Sequence, residues 1–231
     1  MDQSEPVNAR AAPRWSRRKE ARPGELLQAA LALFVERGFA ATRLDDVARR
    51  AGVSKGTLYL YFDSKDDLFK AAVREGLVPA LERGEQMLEQ HQGSAAQLLR
   101  SLIRGWWELI GNTPYGGIPK LMISECRNFP ELAGFYHDEV ISRGNRLIAA
   151  ALERGMQSGE FRRLDVEHLT RLVLAPLVLL VVWRYSFDFC GGSRLDPDRY
   201  IDSHLDLLLD GLCTQRAAGT GAIIDQRGQA S

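Results

Sequence analysis

The chain has no net charge to speak of: 30 Lys and Arg stand against 30 Asp and Glu in 231 residues. No global charge therefore draws it toward a polyanion or an acidic membrane surface. Cysteine is scarce. Cys126, Cys190 and Cys213 are odd in number, far apart and without a CxxC, which speaks against a disulfide framework and for free thiols in a reducing cytosol. The four histidines, His91, His137, His168 and His204, show no metal-ligand spacing. No Ser-His-Asp set, glycine-rich phosphate loop or metal cluster is legible, so the reading is of a non-enzyme without cofactor or metal. The longest apolar run, LVLAPLVLLVVW at 172–183, falls short of the ~18–20 residues of a membrane span. Arg171 and Arg184 bracket it. A soluble, cytoplasmic protein is expected. No stretch sustains period-two alternation, so strands are not expected and the fold class reads as all-α.

What is present is unevenly placed. Residues 1–70 hold 13 basic and 10 acidic side chains, leaving 17 and 20 for the rest. Within 10–22, Arg10, Arg14, Arg17, Arg18, Lys19 and Arg22 face only Glu20. This basic arm over 1–22, which also carries Pro6 and Pro13, suits an anionic partner or a merely solubilising tail. Pro23 is placed to start a helix. Leu27, Ala30, Leu31 and Phe34 share its inner face, and Gly38 ends it. Thr42 precedes RLD as a variant capping box, and Leu44, Val47, Ala48 and Ala51 make a two-turn stripe before Gly52. Ser54 caps a third helix with Leu58 and Phe62 inward, and Ser64 with Asp67 caps a fourth. Beyond it the periodicity predicts helices over 64–90, 94–111, 117–129, 130–157, 165–190 and 196–213, with a polar tail over 214–231.

Two short helices joined by a glycine turn form a helix-turn-helix pattern, whose second helix would lie in a DNA major groove. Ser54, Lys55 and Thr57 are donors at its start, and Gly56 allows close approach of backbone to phosphate. Lys55 and Tyr59 fall at i, i+4, away from the Leu58 and Phe62 face. Lys65 enters the next helix at its N-terminus, where the dipole already favours phosphate. Glycine-turned helix pairs also occur in purely structural bundles.

The stretch LALFVERGFAATRLDDVARRAGVSKGTLYLYFDSKDDLF resembles the DNA-binding domain of TetR-family (tetracycline-repressor-like) transcriptional regulators. The match runs from LF…RGF.AT through VA..AGVS.GTLY.YF.SK..LF. The resemblance implies about nine helices: a DNA-binding head over 23–69 and a ligand-binding, dimerising body over 70–213. By position, Arg43, Ser54, Lys55, Gly56, Thr57, Tyr59, Tyr61 and Lys65 match where relatives touch DNA. Tyr59 and Lys65 would grip phosphates, and Arg43, Lys55 and Thr57 would reach bases. Tyr61 equally well turns inward.

The resemblance further implies a homodimer on a near-palindromic operator of double-stranded DNA, with recognition helices about 34–36 Å apart. Helix 165–190 is apolar nearly all round, and Ile201, Leu205, Leu208 and Leu212 form a stripe that pairs with a second subunit or caps the protomer's own core. For a small-molecule effector, the apolar and aromatic candidates are Trp106, Trp107, Met122, Cys126, Phe129, Phe135, Tyr136, Leu177 and Trp183. Arg104 and Glu125 would orient a polar group. The set favours a hydrophobic or amphipathic effector that releases a repressor. The GNTPYGGIP loop is the expected hinge beside it. The competing reading is an architectural DNA-binding protein without an effector.

Overall fold

The computed structural model describes residues 22–188, 190 and 195–214. The basic arm before Arg22, most of the GGSRLDP break and the tail after Thr214 lie outside them. Among the described residues there are eleven α-helical segments, and the one β feature is an isolated bridge between Phe161 and Cys213. Joined through Leu77 and through a π turn at His137–Ile141, the segments amount to nine rods. The chain divides into two compact units between Ala72 and Val73.

The first unit is built on α1 (Arg22–Arg37). Leu26, Leu27, Ala30, Leu31 and Phe34 are buried on its inner side, and Gly38 ends it at φ 87°, a left-handed backbone that glycine adopts without strain. Phe34, Phe39 and Phe69 meet with ring centroids 5.1–6.1 Å apart. Burying each such ring stabilises by ~2–3 kcal/mol, and this cluster holds helices too short to form alone. Those are α2 (Leu44–Arg50) and α3 (Lys55–Tyr59), joined through Gly52 at φ 67°. Ser54 caps α3 as expected, its Oγ accepting from Thr57 N–H at 3.1 Å. Ser64 likewise caps α4 (Lys65–Gly76), accepting from Asp67 N–H at 3.0 Å.

Thr42 does not cap α2. It is buried, and its hydroxyl donates to the Leu33 and Gly38 carbonyls at 3.2 and 2.8 Å. The cap position falls to Arg43, which has extended backbone and no side-chain bond. Thr42 instead satisfies carbonyls at the end of α1, one of the places where a helix leaves acceptors without partners.

The second unit packs α5 (Val78–Gln90), α6 (Ala95–Trp106), α9 (Ser142–Gln157) and α10 (Val166–Ser186) side by side, with α7 (Gly117–Glu125) and α11 (Pro197–Leu212) against α10. α8 (Pro130–Tyr136) runs into α9 through the π turn. α6 opens on a full capping box of Ser94 and Gln97. The Glu160 carboxylate adds bonds from the Ala95 and Ala96 N–H groups at 2.6 and 2.9 Å. Thr214, the first residue of the expected polar tail, is tied to the Gly159 and Glu160 carbonyls. The 111–117 loop, part of the expected hinge, carries structure of its own. It forms a 3₁₀ turn at Pro114–Gly116, and Arg184 and Tyr185 donate to the carbonyls of Gly111 and Thr113.

The α11 stripe needs correction as a dimer face. Ile201, Leu205 and Leu212 are at most 2% exposed and Leu208 packs against the same core, so within a single protomer they already cover α6 and α10. The longest row of apolar surface left outside is on α10: Leu172, Leu179, Trp183 and, just past its end, Phe187, at i, i+7, i+11 and i+15, while Leu109, Ile123, Ile141 and Leu195 are exposed elsewhere. Leu207 of α11 is 78% exposed. α10, at 21 residues, is long and apolar enough to cross a membrane by composition, but Val173, Leu177, Leu180 and Val181 bury one face of it in the body's core.

Candidate DNA-binding surface and ligand cavity

On the first unit, α3 buries Leu58 and leaves Ser54, Lys55, Gly56 and Tyr59 exposed, with Thr57 half-buried. Arg43 and Tyr61 are exposed too, and Phe62 is only half-buried. Leu60, absent from the expected set, is 82% exposed. Sequence reasoning missed it because a leucine between two tyrosines reads as core, and only the end of α3 at Tyr59 turns it outward.

The cations of this surface are held differently. The Lys55 ammonium pairs with Asp45 at 2.8 Å. That bond holds the Asp45 carboxyl below its ordinary range and pushes the Lys55 amine up. Both groups are at the surface, where such a pair is worth little. Lys65 is anchored: its ammonium donates to the Phe39 carbonyl at 2.6 Å and the Ala40 carbonyl at 3.3 Å, and sits 4.4 Å from the Phe39 ring centroid. Arg50 makes a two-pronged pair with Glu36 at 2.7 Å, clamping α2 to α1.

Two matches decide what this surface belongs to. Residues 26–72 match the model described as bacterial regulatory proteins, tetR family, and residues 89–186 match the tetracyclin repressor-like C-terminal domain. The chain belongs to the TetR family.

This TetR-family chain is 28% identical to the HTH-type transcriptional repressor KstR2 of Rhodococcus jostii, over 85% of the chain and 93% of that relative. It is 24% identical to the fatty acid metabolism regulator protein of Bacillus subtilis, over 84% and 98%. Among solved structures it resembles KstR2 of Mycobacterium tuberculosis, a ketosteroid transcriptional regulator (TM-score 0.68, 24% identity, 84% and 96% covered). It also resembles Bacillus subtilis FadR in complex with stearoyl-CoA (TM-score 0.66, 24% identity, 81% and 98% covered). The family makes this chain a DNA-binding transcriptional regulator.

The second unit of this TetR-family chain holds a cavity of about 1100 Å³ among α5, α6, α9 and α10. Four of the expected lining residues are there: Arg104, Trp106, Tyr136 and Leu177. Seven are not. Trp107 is buried in the body's core, Met122 is buried on α7, and Phe135 lies under the Arg74 guanidinium at 5.0 Å. Glu125, Cys126 and Phe129 sit at the end of α7 around Asn128, and Trp183 stacks on Phe187 at 5.2 Å in the exposed α10 stripe. Helical periodicity gives each rod an inner face but not the rod it faces; α7 packs on α10 and reaches the cavity only through Pro119.

Two π turns edge the void. Trp107–Gly111 presents Glu108, Leu109 and Ile110, and His137–Ile141 presents Val140 and Ile141. A π turn inserts an extra residue into a helix and shifts the side chains after it, a recurrent feature of binding sites. No cue for the extra residue was read in the sequence. Gly105 and Gly144 also line the cavity, and a Cβ on either would meet open space or ordinary contact. Arg104 pairs with Asp202 on α11, which turns its charge outward from the apolar walls. Among the described residues no His, Cys, Asp or Glu cluster could hold a metal ion. The Cys213 thiol is pushed up by burial and then by Glu160 and Asp210, away from thiolate chemistry.

Proposed function

We propose that the protein is a cytoplasmic repressor that binds a near-palindromic operator as a homodimer and leaves it when a hydrophobic or amphipathic small molecule fills the body cavity. The observation that carries this reading is the cavity itself: about 1100 Å³, walled mainly by Leu, Ile and Val, with Arg83, Glu108 and Arg171 exposed at its rim. A void of that size, apolar within and charged at the edge, suits a bulky hydrocarbon with a polar end. The stearoyl-CoA held by Bacillus subtilis FadR is of that general kind, and the similar KstR2 is described as a ketosteroid transcriptional regulator. A ligand releases DNA only if it binds one conformation more tightly than the other.

On the head, Lys55, Thr57 and Arg43 reach bases while Tyr59 and the backbone at Gly56 approach phosphate. Lys65 serves the head by fixing its N-terminal turn, and its charge adds to the field there. The domains run as arm 1–22, head 23–69, body 70–213 and tail. Dimerisation uses the exposed α10 stripe, Leu172, Leu179, Trp183 and Phe187, with Leu207 of α11.

Selection of bound sequences from a random DNA library, with particle mass from light scattering, tests the reading. A near-palindromic site bound by an even number of chains is expected. Binding without an enriched motif would favour the architectural alternative.

A further inference from the structure

The most buried polar side chain of the cavity wall is Tyr136, at the end of α8 where the π turn begins. It is 7% exposed. Its hydroxyl has no hydrogen-bond partner among the described residues. None of the sealed side-chain nitrogens and oxygens lacks one, so this hydroxyl keeps accessible surface, and the cavity that Tyr136 lines is the space on offer beside it. The buried wall residues Leu81, Leu102, Ile148 and Leu177 offer it no acceptor. A phenol hydroxyl beside an apolar void finds few protein partners there, and an acceptor carried in by a ligand would complete it where a hydrocarbon would seal it off unpaired. Burial also pushes the Tyr136 phenol well above its ordinary range, so it stays a neutral donor at any pH a cell reaches. The remaining polar wall groups are less buried: Ser101 and Asn145 are half-exposed, and Arg83, Glu108 and Arg171 are outside.

We infer that Tyr136 is the hydrogen-bonding anchor of the cavity, and that the effector carries an acceptor oxygen, carbonyl or hydroxyl, on the apolar frame it inserts. This rests on the ligand-binding reading above and goes beyond it. The site selects against plain hydrocarbons of the same shape, because a hydrocarbon leaves the Tyr136 hydroxyl dry and unpaired.

The test uses a matched pair of rigid probes, 9-fluorenone and fluorene, which differ by one carbonyl. Each is titrated into the full chain by calorimetry and by quenching of tryptophan fluorescence, to which Trp106 in the wall contributes. The wild type should hold the ketone about tenfold tighter than the hydrocarbon, the scale of one hydrogen bond gained against one left unmade. Tyr136→Phe, which removes only the oxygen, should bind the two alike and keep its thermal midpoint. Equal binding of both probes by the wild type, or a preference that survives in Tyr136→Phe, overturns the inference. The double variant Gly105→Phe/Gly144→Phe, which puts two rings into the void, should weaken both probes. If it does not, or if the wild type binds neither probe, the cavity reading falls together with the Tyr136 assignment.

Discussion

Lys55 and Lys65 are both cations of the head, ten residues apart, and the structure gives them different work. Lys55 lies against Asp45 at the surface, whereas Lys65 closes over the Phe39 and Ala40 carbonyls where the chain leaves α1. Lys65→Ala should therefore destabilise the head by ~1–2 kcal/mol, the scale of a charge-assisted bond to a carbonyl, and weaken DNA binding through that loss. Lys55→Ala should cost little stability, because its pair with Asp45 lies at the surface, and should weaken operator binding far more. Melts by circular dichroism alongside filter binding separate the two; a stable Lys65→Ala would return that residue to the phosphate-gripping role its position suggests. Ser54 and Ser64 were legible as caps because each bond lies within four residues. Thr42 was not, since one of its partners is nine residues away on another helix. Local chemistry reads from sequence; a side chain reaching back across a turn does not.

At the scale of elements, α10 is the decisive one. Its inner face builds the core, its flank walls the cavity through Leu174, Leu177 and Val178, and its outer stripe remains apolar in water, with Leu179 shared between the stripe and the cavity's edge. Its all-round apolar character was plain in the sequence, but the partition among three surroundings was not. The α11 stripe at i, i+4, i+7, i+11 shows the same limit, for periodicity states that a face is buried and not by what. If the proposed dimer pairs through this stripe, Leu172→Glu with Leu179→Glu should give monomers in light scattering and abolish tight operator binding while leaving the helical content intact. A dimer that persisted would move the interface off this stripe.

Across the whole molecule, the carboxyls of Glu36, Asp45, Glu85 and Asp165 are all held low, foremost by hydrogen bonds from Arg50, Lys55, Arg143 and His168 respectively. Carboxyls lowered in the folded state add stability that is complete above the ordinary carboxylate range and is lost as the pH falls through their lowered values. The melting temperature should thus be flat from about pH 7 to 5 and decline below about pH 4; a decline already complete at pH 5 would point to other groups. The head was readable nearly residue by residue because caps, glycines and a short stripe fix it locally. The cavity was not, because it is a property of four rods meeting and of two π turns that shift their faces. Gly105 and Gly144 give that cavity a further property: a Cβ added at Gly105 meets nothing within 4 Å, and one at Gly144 only ordinary contact with Leu81, so a side chain can start at either position without moving the backbone. A one-codon change there redraws the void while the DNA-reading surface keeps every residue. Lineages carrying this architecture can change the chemical they answer to without relearning the sequence they recognise.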